Sequence, residues 1–234
     1  MKKKAIVIGA SSGIGRELVL QLTAMGYEVA AVGRRVDKMA APNVHVFAHD
    51  VVNTDDVPEL FAEITKALGG LDLVIYNAGV MPEVGPTEYS FEKDKAMVDV
   101  NVLGAIAWLN EAANRFGNVG AGTIMGIGSV AGDRGRAGQP VYNMSKAALA
   151  SYLESLRNRL HKRGVCVVTI KPGPTETEMT AHLKLKGMMK AADVARIALS
   201  KINTPGEHYV KLTHRIIFAI IRRIPGPIFR RLPL

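Results

Sequence analysis

A short apolar run at residues 5–8 leads into Gly9-Ala-Ser-Ser-Gly13-Ile-Gly15, and a helical pattern with Leu18, Leu22 and Met25 on one face follows. Strand, tight turn and helix in that order restrict the fold strongly. Glycines at positions 9, 13 and 15 let backbone approach a pyrophosphate and let strand and helix pack closely, while the helix N-terminus supplies unpaired N–H groups and the positive end of its dipole. Position after the first strand makes Gly9, Ser11, Ser12, Gly13, Ile14 and Gly15 candidates for a phosphate cradle, where a bare Gly-rich turn would be the alternative.

The rest of the chain repeats the alternation. β-Favouring runs occupy residues 27–32, 44–48, 71–76, 123–127, 165–170 and 208–212. Between them, residues 55–68, 91–116, 140–163 and 191–200 read as helices, the third opening on Pro140. Residues 80–89 and 132–140 are loops punctuated by Pro and Gly. Strands apolar on both faces and separated by helices predict a doubly wound parallel sheet covered on each side. A chain of 234 residues with 48% apolar and 22% charged residues suits one domain with a full core.

Several function classes fall away. The single cysteine, Cys166, lies in an apolar run and reads as a small core residue in a reducing compartment. The Met-Lys-Lys-Lys opening lacks a signal-peptide core, and no apolar segment reaches the roughly 18–20 residues a spanning helix needs, so a cytoplasmic location is expected. The net charge of +9 has no recognisable nucleic-acid module behind it. Six histidines, among them His45, His49, His161 and His214, show no metal-ligand spacing and read as surface or satisfied residues. Ser129 lacks a Gly-x-Ser-x-Gly elbow, which removes a serine-hydrolase reading.

Chemistry concentrates in Tyr142-Asn143-Met144-Ser145-Lys146. Four residues on a helix put Tyr142 and Lys146 on one face. A free phenol titrates near ~10, and a neighbouring cation moves it toward the working range, which suits proton transfer. Ser129 ends the Gly-rich apolar run before this helix. A Tyr-x-x-x-Lys spacing is weak by itself and gains weight from context.

That context resembles the short-chain dehydrogenase/reductase family over residues 3–175, through Gly9-Ala-Ser-Ser-Gly-Ile-Gly15, Asn77-Ala78-Gly79, Asn101, Ser129 and Tyr142-x-x-x-Lys146. One departure is Tyr76, where the family usually carries a second asparagine; packing is expected to feel this more than chemistry. The resemblance implies a single-domain Rossmann fold with seven parallel strands, and a homodimer or homotetramer. It implies that Tyr142 exchanges a proton with a carbonyl or alcohol oxygen while hydride passes to or from nicotinamide. Lys146 lowers the tyrosine pKa and binds the nicotinamide ribose, Ser129 holds the substrate oxygen, and Asn101 keeps a water relay through Lys146. Asp50 and Val51 resemble the adenine-contacting pair, Asn77, Ala78 and Gly79 line the adenosine side, and Pro172, Gly173 and Thr175 or Thr177 pass the nicotinamide.

Strand two closes at Gly33-Arg34-Arg35 with no acid before Asp37. An acid there would accept the ribose hydroxyls of NAD and repel a 2′-phosphate, whereas arginine pairs with that phosphate. Arg34 is the first choice and Arg35 the second, so NADP(H) is expected over NAD(H). A small-molecule carbonyl or alcohol of apolar or lipid-like character is the expected substrate, with Met179, Leu183, Leu185, Met188 and Met189 in a lid over residues 175–189, where core packing of the same residues is the alternative. A binding-only sensor or scaffold would not need Ser129, Tyr142 and Lys146 together. Residues 213–234 combine Ile and Phe with arginines and carry no acid, which suits either peripheral contact with an anionic membrane or an arm packed on the cleft or on a second subunit; the arm is preferred.

Overall fold

The computed structural model describes residues 2–183 and 185–232. β1 (Lys4–Ile8), β2 (Glu28–Gly33), β3 (Val44–Ala48), β4 (Leu73–Tyr76), β5 (Gly122–Ile127) and β6 (Val165–Lys171) alternate with α1 (Gly13–Ala24), α2 (Val57–Leu68), α3 (Phe91–Val98), α4 (Gly104–Val119) and α5 (Pro140–Leu160). A short pair, β7 (Thr175–Glu176) and β8 (Met189–Lys190), then precedes α6 (Ala191–Leu199), β9 (Gly206–Tyr209), α7 (Leu212–Ile221) and α8 (Gly226–Phe229). Seven strands form one parallel sheet in the order β3-β2-β1-β4-β5-β6-β9. Alternation along β1 explains the two layers. Ile6 and Ile8 join a core with Trp108, Phe116 and Leu153 from α4 and α5, while Ala5 and Val7 join the opposite core with Leu18 and Leu22 of α1 and Val194 of α6.

Strand order reverses between β1 and β4, and a crevice opens at the carboxyl ends of the strands there. The turns carrying Gly9, Arg34, Asp50, Asn77, Ser129 and Pro172 all leave the sheet at that edge. Topology alone therefore gathers side chains spread over more than 160 residues.

Three local expectations are corrected. Met25 caps the end of α1 and is exposed, because the helix stops before its turn faces the core again. The expected helix over 91–116 is interrupted by a π-turn at Asp99–Leu103, whose wider coil the apolar periodicity does not reveal. Strand seven is Gly206–Tyr209, and Leu212 instead opens α7 with its side chain exposed. The β7–β8 pair joins the two ends of the segment expected as a lid, with Thr175 beside Met189 and Glu176 beside Lys190.

Tyr76 is fully buried, and its hydroxyl donates to the Val100 carbonyl inside the π-turn at 2.5 Å. A Cβ on Gly104, at the start of α4, would stand 2.8 Å from that hydroxyl and 2.8 Å from the Val51 carbonyl oxygen. Strand β4 and the π-turn are thus joined through a tyrosine that only a glycine can face. Tyr76→Phe should leave the Val100 carbonyl without this donor and lower the unfolding free energy by about 1 kcal/mol, read from urea denaturation; an unchanged midpoint and slope would show that the hydroxyl contributes nothing.

Candidate active site

At the end of β1 the chain turns on Gly9, whose φ of 83° is left-handed. A Cβ there would come within 2.5 Å of the Ala78 backbone nitrogen. Asn77 Nδ2 donates to the Gly9 carbonyl at 2.9 Å, which fixes the two turns at the sheet reversal to each other. Gly15 packs on the same carbonyl, with only 2.0 Å to a hypothetical Cβ, so strand and helix meet as closely as the sequence suggested. Ser12 is the N-cap of α1, yet its side chain makes no capping bond and the first turn holds no acid. The N–H groups at this end thus meet the cleft without a protein anion.

Gly9, Ser11, Ser12, Gly13 and Ile14 line a cavity of about 990 Å³, and Ser129, Tyr142 and Lys146 line the same cavity. Arg34, Arg35, Asp50, Val51, Asn77, Ala78, Gly79, Pro172, Gly173, Thr175 and Thr177 lie along the same cavity. Arg34 is largely exposed and pairs with Asp50 at 3.5 Å. Arg35 is held closer, its Nε and Nη2 each 3.3 Å from Ser11 Oγ and its Nη1 2.7 Å from Glu178. Arg35 thus touches the cradle through Ser11, whereas Arg34 is an exposed arginine whose partner is Asp50.

Asn101 is buried in the π-turn, and its amide makes three bonds. Oδ1 accepts from Val80 N at 2.8 Å, while Nδ2 donates to the Val80 carbonyl at 3.0 Å and to Ser145 Oγ at 3.0 Å. Ser145 in turn donates to the Tyr142 carbonyl at 2.9 Å. The loop after β4, the π-turn and α5 are therefore tied around one amide. Ser145 was not among the expected site residues, although its place beside Lys146 in the Tyr142 helix was a usable signal.

Lys146 is buried and donates to the Ile127 carbonyl at 3.2 Å, with its ammonium 5.8 Å from the Tyr142 ring centre. Burial pulls the lysine down to about 8. The tyrosine behaves differently from the expectation: burial pushes its phenol up, and the Ser129 hydroxyl and the Arg136 guanidinium act against that rise. Lys146 is not among the groups that shift the phenol. Ser129 Oγ accepts from Ala131 N at 3.0 Å, which leaves its own proton to donate toward the Tyr142 phenol or an oxygen beside it in the cleft.

The tail resolves as an arm over the cleft. Phe218 and Ile221 of α7 are buried with Val130, and His214 and Phe218 line the cavity. Arg134 donates to the carbonyls of Ile221 and Ile224 at 2.5 and 2.6 Å and stands 4.0 Å over the Phe229 ring. Arg222 pairs with buried Asp133, which also meets Lys171 at 2.8 Å. His214, expected as a surface or satisfied residue, has a buried Nδ1 without a partner. Its ring occupies the space beside Gly173, where a Cβ would be 2.1 Å from it, so that glycine makes room for the arm. Sequence reasoning missed His214 and Phe218 because nothing local ties residue 214 to residue 173. Among the described residues no helix is long and apolar enough to cross a membrane, and no group of three His, Cys, Asp or Glu is placed to hold a metal ion.

With this geometry, the sequence matches the short chain dehydrogenase family over residues 3–186. A relative from Myxococcus xanthus (strain DK1622), described as an uncharacterized oxidoreductase, is 37% identical over 97% of this chain and 94% of its own. Another uncharacterized oxidoreductase, from Staphylococcus aureus (strain N315), is 32% identical over 87% of this chain and 92% of its own. Among solved structures, a short chain dehydrogenase from Burkholderia cenocepacia J2315 in complex with NADP superposes with a TM-score of 0.88 at 22% identity, over 100% of this chain and 98% of that one. A short-chain type dehydrogenase/reductase from Mycobacterium ulcerans gives 0.81 at 26% identity, over 88% and 87%. The chain belongs to the short chain dehydrogenase family of oxidoreductases.

The depressed lysine has a signed consequence. Its folded value of about 8 lies below the ordinary 10.5, so the unfolded chain holds the proton more tightly and the Lys146 contribution to stability rises as pH climbs through that window. Lys146→Met removes the buried cation. In urea denaturation of the cofactor-free protein, its stability advantage over the wild type should be largest below pH 8 and should shrink toward pH 10.5. A difference independent of pH across this range would show that the ammonium is not depressed by burial.

Proposed function

We propose that the protein is an NADP(H)-dependent oxidoreductase that transfers hydride between nicotinamide and a carbonyl or secondary alcohol. One observation carries the reading: a single cavity runs from the uncapped N-terminus of α1 to Ser129, Tyr142 and Lys146. A dinucleotide lying along it would have its pyrophosphate at the α1 N-terminus, held by backbone N–H groups. Arg34 and Arg35 would receive a 2′-phosphate, which the absence of an acid between Gly33 and Val36 favours. NADP in the Burkholderia cenocepacia structure supports the same choice. Asp50 and Val51 would border the adenine, Asn77, Ala78 and Gly79 the adenosine, and Pro172, Gly173 and Thr175 the nicotinamide.

Nicotinamide supplies the hydride when bound. The chain's own groups manage the oxygen. Ser129 donates to the substrate carbonyl oxygen and polarises it, and Tyr142, protonated because burial keeps its phenol high, delivers its proton to that oxygen as charge develops. Lys146 holds the ribose and, with its pKa near 8, remains a cation at neutral pH that steadies the phenolate left behind. Asn101 fixes the loop and helix that carry these groups. Its Oδ1 and the Lys146 ammonium each lie 3.4 Å from a Cβ built on Gly79, which leaves the side of the proposed proton relay narrow. In the reverse direction the same groups remove a proton from an alcohol. A cytoplasmic homodimer or homotetramer belongs to this reading, and sedimentation velocity reads the subunit number.

Two measurements test it. NADPH consumption against a panel of aldehydes and ketones should find a substrate, and Tyr142→Phe should lower kcat for it by roughly 10²–10⁴-fold while retaining NADPH binding; full activity in the variant would sink the proton-transfer role. Arg34→Ala and Arg35→Ala should each raise KM for NADPH while sparing KM for NADH. Unchanged NADPH values in both variants would remove the arginines from phosphate recognition.

A further inference from the structure

The loop between β5 and α5 carries three charged side chains, and two of them are committed. Asp133 is taken by Lys171, Arg222 and Tyr209, and Arg134 by the carbonyls and ring of the tail. Arg136 is different. Among the described residues its side chain makes one hydrogen bond, Nη2 to Asn143 Oδ1 at 3.4 Å, and no carboxylate is within ion-pair distance of it. Its Nε is buried without any partner. Burial pulls this guanidinium below its ordinary range, opposed by Tyr142, whereas Arg222, also desolvated, is raised by Asp133. A half-buried cation without a counter-charge is unfavourable in the free protein, and such a group is stabilised when a ligand brings the anion.

The loop is also built to hold Arg136 in place. Asn143 Nδ2 donates to the Gly138 carbonyl at 2.9 Å and to the Arg136 carbonyl at 3.4 Å. Gly132 lies on the α5 backbone, where a Cβ would be 2.6 Å from the Lys146 carbonyl carbon. Arg136 lines the cavity beside Tyr142, and two more unpartnered polar atoms, Gln139 Oε1 and His214 Nδ1, belong to residues lining the same space. Met81, Pro82, Met179, Leu183, Leu185 and Phe218 supply its apolar walls.

We propose that Arg136 recognises a carboxylate on the substrate, so that the site takes amphiphilic carbonyl compounds with an apolar body and one anionic group. This rests on the oxidoreductase reading and narrows its substrate class. The expectation of an apolar or lipid-like ligand assigned no role to Arg136, because a sequence cannot show which of Asp133, Arg134 and Arg136 is left without a partner.

The test uses binding, so it does not depend on turnover. The NADPH-saturated full-length protein is titrated by calorimetry with octanoate and with 1-octanol, which share a chain length and differ in charge. Wild type should bind octanoate in preference to octanol, and Arg136→Gln should lower that preference by about tenfold or more. Arg136→Lys, which keeps the charge without the planar fork, should restore part of it and guards against a misfolded variant. Absence of an octanoate preference in wild type, or an equal preference in Arg136→Gln that still binds NADPH, overturns the proposal. Octanoate selectivity in a protein that reduces no carbonyl sustains this inference and sinks the oxidoreductase reading; a reductase indifferent to the carboxylate does the reverse.

Discussion

Asn101 has no exposure to solvent, and its amide spans three segments that are remote in sequence. By accepting from Val80 N and donating to the Val80 carbonyl, it closes the loop after β4 as a strand neighbour would. Through Ser145 it reaches the backbone of Tyr142. A buried amide with these groups satisfied is stable where it is, and each bond it loses would leave a polar group stranded in the interior. The positions of Gly79, Tyr142 and Lys146 relative to one another follow from that network more than from any contact among the three.

The network needs the π-turn. An unbroken α-helix through residues 91–116 would rotate Asn101 and the residues after it to different faces. Tyr76 secures the widened turn by donating to the Val100 carbonyl, and Gly104 lets α4 begin against the tyrosine hydroxyl without a clash. The departure at Tyr76 is thereby a packing solution: the strand residue supports the widened turn in which Asn101 sits. Site geometry and core packing are one problem here.

Charge completes the arrangement on the substrate side. Asp133 is buried, and although burial works to raise it, hydrogen bonds from Lys171, Arg222 and Tyr209 hold its carboxyl below the usual range. This cluster ties β6, β9 and the tail to the loop that precedes α5. The tail's buried Phe218 and Ile221 add an apolar seal against Val130, while Ile216, Ile217 and Ile220 face outward. An arm that is both ion-paired and apolar on its inner side makes one wall of the cleft, and Arg136 is the cation that the cluster leaves over.

Much of this was legible in the chain itself. Glycines at 9, 13 and 15 after an apolar run, and Tyr142 four residues before Lys146, are local patterns whose physical meaning depends on turn geometry and helix periodicity, and both survive folding unchanged. The alternation of strands and helices determined a parallel sheet, since strands apolar on both faces have to be covered twice. Tertiary structure alone decided the rest. The π-turn is invisible because apolar spacing continues through it, and the approach of His214 to Gly173 joins residues 41 positions apart through a helix that begins beyond the last strand. Which arginine is paired and which is free is a property of distances between elements, and a linear sequence carries no such distances; only the fold could assign Arg134 to the tail and Arg136 to the cleft.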